Sequence, residues 1–124
     1  MGNKSTGTQF ERDFCKKLAE NGWWVHFLTP NGRGAQPFDV LAIKDSSVVA
    51  VDCKTCAGDL FPFSRIEDNQ RLAFDALLWK TDAKCGFAIL YNDEVRWLEY
   101  SDVKMLERVG ARSVRVDALP LFAE

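Results

Sequence analysis

Phe10, Phe14 and Leu18 recur at every fourth residue, which stacks them on one face of a helix. Thr8-x-x-Glu11 opens that helix as a capping box, and Asn21-Gly22 marks its end. WWVHFL (23–28) reads as a strand, and TPNGRGAQP (29–37) is a Gly/Pro loop that fits neither period. FDVLAIK and SVVAVDCK then form a hairpin turning at Asp45-Ser46. The second of these is apolar on both faces until Asp52, as a central strand covered on both sides would be. AGDLFPFS is a further loop, and Ser64-x-x-Glu67 caps a second helix running to about Thr81. That helix carries the stripe Ile66, Ala73, Leu77, with the polar Gln70 inside it. GFAILY and EVRWLEY make a second hairpin around Asn92-Asp93. SDVKMLERVG is a short helix with Ser101 as cap and Gly110 as stop, and SVRVD (113–117) adds an edge strand. The order α-β-β-β-α-β-β-α(-β) predicts an α/β fold, a mixed sheet with helices on its faces.

Length agrees with that picture: 124 residues are enough for a single domain over 1–124 with one core. The 47% hydrophobic and 12% aromatic content excludes a disordered tail. No run approaches the roughly 18–20 apolar residues of a membrane span, and the polar start MGNKSTGTQFERD has no apolar signal region. MGNKST fits the short N-myristoylation pattern at Gly2, which matches often by chance. Four cysteines, Cys15, Cys53, Cys56 and Cys85, are read as reduced, and the chain as cytoplasmic with no membrane partner. Cys53-Lys-Thr-Cys56 has redox or zinc spacing, but no second pair completes a zinc set and His26 stands alone. In a strand Cys53 faces away from Asp52 and Lys54, so filling the core is its expected role.

A net charge of −2 excludes binding of nucleic acid by bulk charge alone. The acidic excess gathers in the middle: residues 38–99 carry seven basic and eleven acidic side chains. Basic residues remain locally at Lys4, Arg12, Lys16, Lys17, Arg33, Arg65 and Arg71, enough for a phosphate track. Two of the central acids are conspicuous. Asp52 and Lys54 leave the same face of their strand, and a turn at residues 45–46 places Asp39 directly opposite Asp52. Cβ atoms so paired are roughly 4.5–5.5 Å apart, and like charges there repel. A lysine alongside and a divalent cation between them would make the arrangement tolerable. Mg²⁺, with Mn²⁺ as substitute, suits hard carboxylate oxygens: Asp39, Asp52 and the backbone carbonyl of Cys53 would bind it, and Lys54 would stabilise phosphate charge. Two solvent-facing acids beside a lysine are the plainer reading of the same spacing.

The set Phe38-Asp39 … Asp52-Cys53-Lys54, preceded by a helix acid, resembles the PD-(D/E)xK nuclease superfamily. Its element order is most similar to the archaeal-type and phage Holliday junction resolvases, over about residues 5–91, with 92–124 as an extension. The resemblance implies a restriction-endonuclease-like mixed sheet with an αβββαβ core, and a metal-dependent DNA endonuclease acting on branched DNA as a homodimer. It places catalytic roles on Glu11, Asp39, Asp52, Lys54 and Gln70, with Glu11 also near the metal. Pro37 stands one place earlier than in the family's Pro-Asp, and Asp52 replaces the commoner glutamate. Glu11 has its capping-box role as an alternative, and Gln70 that of a core amide bonded to backbone. Arg33, between two glycines, together with Lys16 and Arg71, is expected to contact DNA. The rivals are a restriction- or repair-type nuclease of the same fold, a non-catalytic binding domain, and a CxxC redox protein with a reactive Cys53.

Overall fold

The computed structural model describes residues 3–28 and 36–122, with side chains from residue 7 onward. The amphipathic face at Phe10, Phe14 and Leu18 is buried as expected, on a helix α1 spanning Asn3–Glu20. Because α1 begins at Asn3, Thr8 lies inside it, so the Thr8–Glu11 capping box is corrected: position 8 is no terminus. The helix ends where predicted. Trp23 N–H reaches back to the Leu18 carbonyl and Gly22 N–H to that of Ala19, a Schellman ending. It needs the left-handed backbone that Gly22 adopts at φ +92°.

Strands β1 (Trp24–Phe27), β2 (Val40–Lys44) and β3 (Ser47–Thr55) follow, turning at residues 45–46, with Asp45 in left-handed backbone. A short strand β4 (Leu60–Pro62) and a 3-10 turn (Phe63–Arg65) lead into α2 (Asp68–Lys80). Then come β5 (Lys84–Tyr91), β6 (Glu94–Glu99), α3 (Tyr100–Arg108) and β7 (Ser113–Arg115). Five strands form a mixed sheet in the order β1-β2-β3-β5-β6, antiparallel except for the β3–β5 pair. This is the predicted mixed sheet flanked by helices.

Several local expectations are corrected. AGDLFPFS is not a plain loop, because it contains β4; and β7 is no edge of the main sheet, because it pairs with β4 in a separate two-stranded sheet. The second helix is capped by Glu67 and not by Ser64, since Ser64 sits in the 3-10 turn. The third is capped by Glu99, which leaves Ser101 within the helix.

Strand alternation sorts the core into two layers. Val40, Ala42, Val49, Val51 and Ala88 pack under Phe10, Phe14 and Leu18 of α1. On the opposite face Ala50, Phe87, Ile89 and Tyr91 pack with Phe74 of α2 and with Tyr100 and Val103 of α3. The tail runs beside β6: Phe122 donates its N–H to the Val95 carbonyl and sets its ring against Phe14 and Trp97. Among the described residues no helix is long and apolar enough to cross a membrane.

Candidate active site

The carboxyl end of β3 leaves the core carrying Asp52 and Lys54 on one face and Cys53 on the other. The β2–β3 register, which pairs Val40 with Val51 and Lys44 with Ser47, brings Asp39 beside Asp52 as expected. The pair is not a mirror-image ladder pair, however. The ladder stops at Val40, Asp39 sits in a bend, and its N–H goes to the Val51 carbonyl at 3.0 Å. The bend turns the carboxylate inward. One oxygen, Oδ2, accepts the Cys53 N–H at 2.8 Å, while Oδ1 accepts the Gln36 side-chain amide at 3.0 Å. A strand residue sends its N–H and C=O toward the same neighbour, so the Cys53 carbonyl shares the Asp39 side of β3.

Asp39 and Asp52 are both buried, at 7% and 3% exposure, so the plainer reading of solvent-facing charges is overturned. Burial, the negative charge of Asp39 and a hydrogen bond to it push the Asp52 carboxyl up to about 7, against the pull of Lys54 in the other direction. The Lys54 ammonium lies 3.1 Å from Asp52 Oδ2. That oxygen still lacks a hydrogen bond, so the contact is an ion pair set off the hydrogen-bonding direction. Lys54 is held from its other side by the Arg65 carbonyl at 3.3 Å.

Glu11 is half-buried on α1 and close enough to Asp39 to feel its charge: burial and that charge both raise its pKa. Cys15, one turn further along, is pushed up to about 11 by burial and by the charges of Glu11 and Asp39. Burial and the same carboxylates hold the Cys53 thiol well above its usual value. A reactive redox thiol needs the opposite shift, and Cys56 Sγ is engaged with the Gly58 and Leu60 carbonyls.

The remaining predicted site residues divide. Gln70 is buried, but its carbonyl oxygen caps α2 by accepting the Glu67 N–H at 3.1 Å, so its oddity in the apolar stripe has a local cause. Arg71 is already engaged within the protein: its guanidinium pairs with both Glu107 oxygens at 2.9 Å, joining α2 to α3. Lys16 is exposed on α1, and Arg33 lies outside the described residues. Gln36 escaped the sequence reading, and Arg65 entered it only as one of the local basic residues. Gln36 holds Asp39, and its carbonyl accepts the Asn69 side chain at 3.0 Å. Arg65 holds Lys54. A polar residue just before Pro37-Phe38-Asp39 was the only signal for the first.

Asp39 and Asp52 stand beside one ammonium, with Glu11 near Asp39, so negative charge is in excess, and the buried Asp52 Oδ2 lacks a hydrogen bond. Hard oxygen donors of this kind fit a divalent cation. Among the described residues no group of three or more His, Cys, Asp or Glu side chains is placed to hold a metal ion, so the protein would supply two carboxylates and leave the other positions to water or substrate.

The family model of the archaeal Holliday junction resolvase (Hjc) matches residues 2–119. The likeness therefore extends past residue 91, into the segment expected to be a C-terminal extension. A search of curated proteins found no match. Among solved structures, the 1.6 Å structure of Archaeoglobus fulgidus Hjc, a Holliday junction resolvase from an archaeal hyperthermophile, is similar at a TM-score of 0.61 and 21% identity. The match covers 90% of this chain and 88% of that one.

Proposed function

This chain belongs to the archaeal Holliday junction resolvase family, and on that premise we propose that Glu11, Asp39, Asp52 and Lys54 form its hydrolytic centre. Members of the family are endonucleases that hydrolyse DNA phosphodiester bonds in branched DNA and generally depend on a divalent metal. The observation that carries the assignment is the buried Asp52, with its unbonded Oδ2 beside Lys54 and its ionisation opposed by Asp39. Such a group costs stability, and binding of a cation would recover it.

Mg²⁺ is the proposed ion and Mn²⁺ its substitute, held by Asp39, Asp52 and the Cys53 carbonyl, with Glu11 alongside. When bound, the ion polarises the phosphodiester and acidifies a water. Lys54, held between Asp52 and the Arg65 carbonyl, would balance negative charge gathering on the phosphate oxygens. Gln36 and the Cys53 N–H keep the Asp39 carboxylate oriented. The proposed assembly is a homodimer, because symmetric incision of a four-way junction needs two such sites related by a twofold axis.

The test is cleavage of a synthetic four-way junction and of linear duplex, with Mg²⁺ and with a chelator. Cleavage confined to the junction and dependent on the ion is expected. Equal cutting of linear duplex would favour the restriction- or repair-type reading, and cutting in the chelator would remove the metal. Sedimentation of the free protein as a monomer at working concentration would remove the dimer. Gln36→Ala is expected to slow cleavage about 10- to 100-fold, as loss of a ligand-orienting partner does. Its unfolding free energy should fall by about 1–3 kcal/mol, the range for leaving a buried charged acceptor one hydrogen bond short, and the protein should stay folded at the assay temperature. Wild-type cleavage by this variant would show that Asp39 keeps its orientation without Gln36.

A further inference from the structure

We propose that Arg65 binds a backbone phosphate of the cleaved strand next to Lys54, an inference that rests on the nuclease reading above. The 3-10 turn carrying Arg65 is anchored in the core by Phe61, Phe63 and Ile66, which are 0%, 3% and 5% exposed. From this turn the Arg65 side chain crosses the end of β3. One terminal N–H₂ donates to the Thr55 carbonyl at 2.8 Å, and the guanidinium carbon lies 5.3 Å from the Phe61 ring centroid. The backbone carbonyl of the same residue holds the Lys54 ammonium. Side chain and main chain together tie a second cation to the position of Lys54.

Arg71, Arg96 and Arg115 each meet a carboxylate: Glu107, Glu94 and Asp117. Arg65 is exposed and meets none among the described residues. A guanidinium has five N–H donors in a flat fork, so one bond to Thr55 leaves an edge open for two phosphate oxygens. Its orientation is already fixed by the Thr55 bond and the Phe61 ring, so little freedom is lost on binding. The position also answers an electrostatic need. Glu11, Asp39 and Asp52 repel an incoming strand, and a fixed cation on the rim offsets that repulsion where the strand must approach.

The experiment measures junction affinity of the full-length protein in chelator, over a range of KCl concentrations. The variants are Arg65→Gln and Arg65→Lys, with Arg115→Ala, an arginine paired with Asp117, as control. Arg65→Gln is expected to weaken binding about tenfold. It should also flatten the slope of log affinity against log salt by about 0.9 for each protomer engaged, the signature of one lost phosphate contact. Arg65→Lys should keep the wild-type slope at reduced affinity, because it retains the charge and loses the fork. Arg115→Ala should leave the slope unchanged, which shows that loss of any exposed arginine is not enough to flatten it. An unchanged slope in Arg65→Gln, with wild-type protein binding the junction, overturns the Arg65 assignment alone. Failure of wild-type protein to bind the junction overturns the nuclease reading as well.

Discussion

Asp52→Asn is expected to reduce junction cleavage at least about a thousandfold, on the order that removing one member of a catalytic unit costs, while making the metal-free protein more stable above neutral pH. The two effects have one origin. The Asp52 carboxyl titrates near 7 in the folded chain, raised from 3.8 chiefly by burial and then by Asp39. A carboxyl raised by folding favours the folded state while it is protonated. Its contribution is therefore fully present below about pH 4 and is lost as the pH rises through 7. The loss approaches roughly 4 kcal/mol once the group is ionised in both states, at about 1.4 kcal/mol per pKa unit. Asparagine has nearly the same shape and does not ionise, so the stability difference between variant and wild type should grow steadily from pH 4 to 8. Urea unfolding in chelator at pH 5, 7 and 8.5 measures it. Parallel pH profiles for the two proteins would mean that Asp52 is not strained when ionised. Undiminished cleavage by the variant would remove Asp52 from the site. Lys54→Ala should steepen the wild-type pH dependence, because Lys54 is the group that pulls the Asp52 carboxyl down.

Phe74→Ala is expected to cost about 3–5 kcal/mol of unfolding free energy, the range for deleting a buried phenyl ring. Phe74 is fully buried, at 0% exposure. Its ring meets Phe87 of β5 at 5.5 Å, Tyr100 of α3 at 5.3 Å and Phe38 at 6.0 Å. One side chain thus joins α2 to the sheet, to the third helix and to the residue preceding Asp39. Surroundings drawn from three separate segments cannot all collapse into the space left behind, which places the cost near the upper end. A drop in melting temperature on the order of 10–20 °C should accompany it. Phe74→Leu should cost less, since it refills part of the cavity. An alanine variant losing under about 1 kcal/mol would show that this ring is not the pivot of that layer.

What could be read in advance was whatever has a short, strict period. Phe10, Phe14 and Leu18 declared a helix face, and the two-residue turn at Asp45-Ser46 fixed which side chains of β2 and β3 share a side. That was enough to bring Asp39 to Asp52 and to turn Lys54 the same way. Helix starts were harder. Thr8, Ser64 and Ser101 each opened a plausible cap, yet α1 begins at Asn3, and α2 and α3 are capped by Glu67 and Glu99. Hydroxyl residues ahead of a helical stretch are too common for them to mark a boundary unaided. Contacts far apart in the chain were not legible at all. The pairing of β4 with β7 joins two three-residue strands more than forty positions apart. Arg71 read as an unpaired cation because its partner, Glu107, is 36 residues further on. Arg65 was visible only as one more positive charge.

The alternation along β3 also limits which length changes the protein can tolerate. Lys54 lines the site and Cys53 the layer under α1 because an odd or even count from the Asp45-Ser46 turn decides which side each takes. Adding or deleting a single residue in that turn would slide β3 against β2, driving a lysine amine under the first helix and presenting a thiol to the DNA. A two-residue change would keep the sides but carry Asp52 past Asp39. Related chains that vary in length should therefore place their insertions elsewhere, and a designer shortening this hairpin would lose the enzyme before losing the sheet.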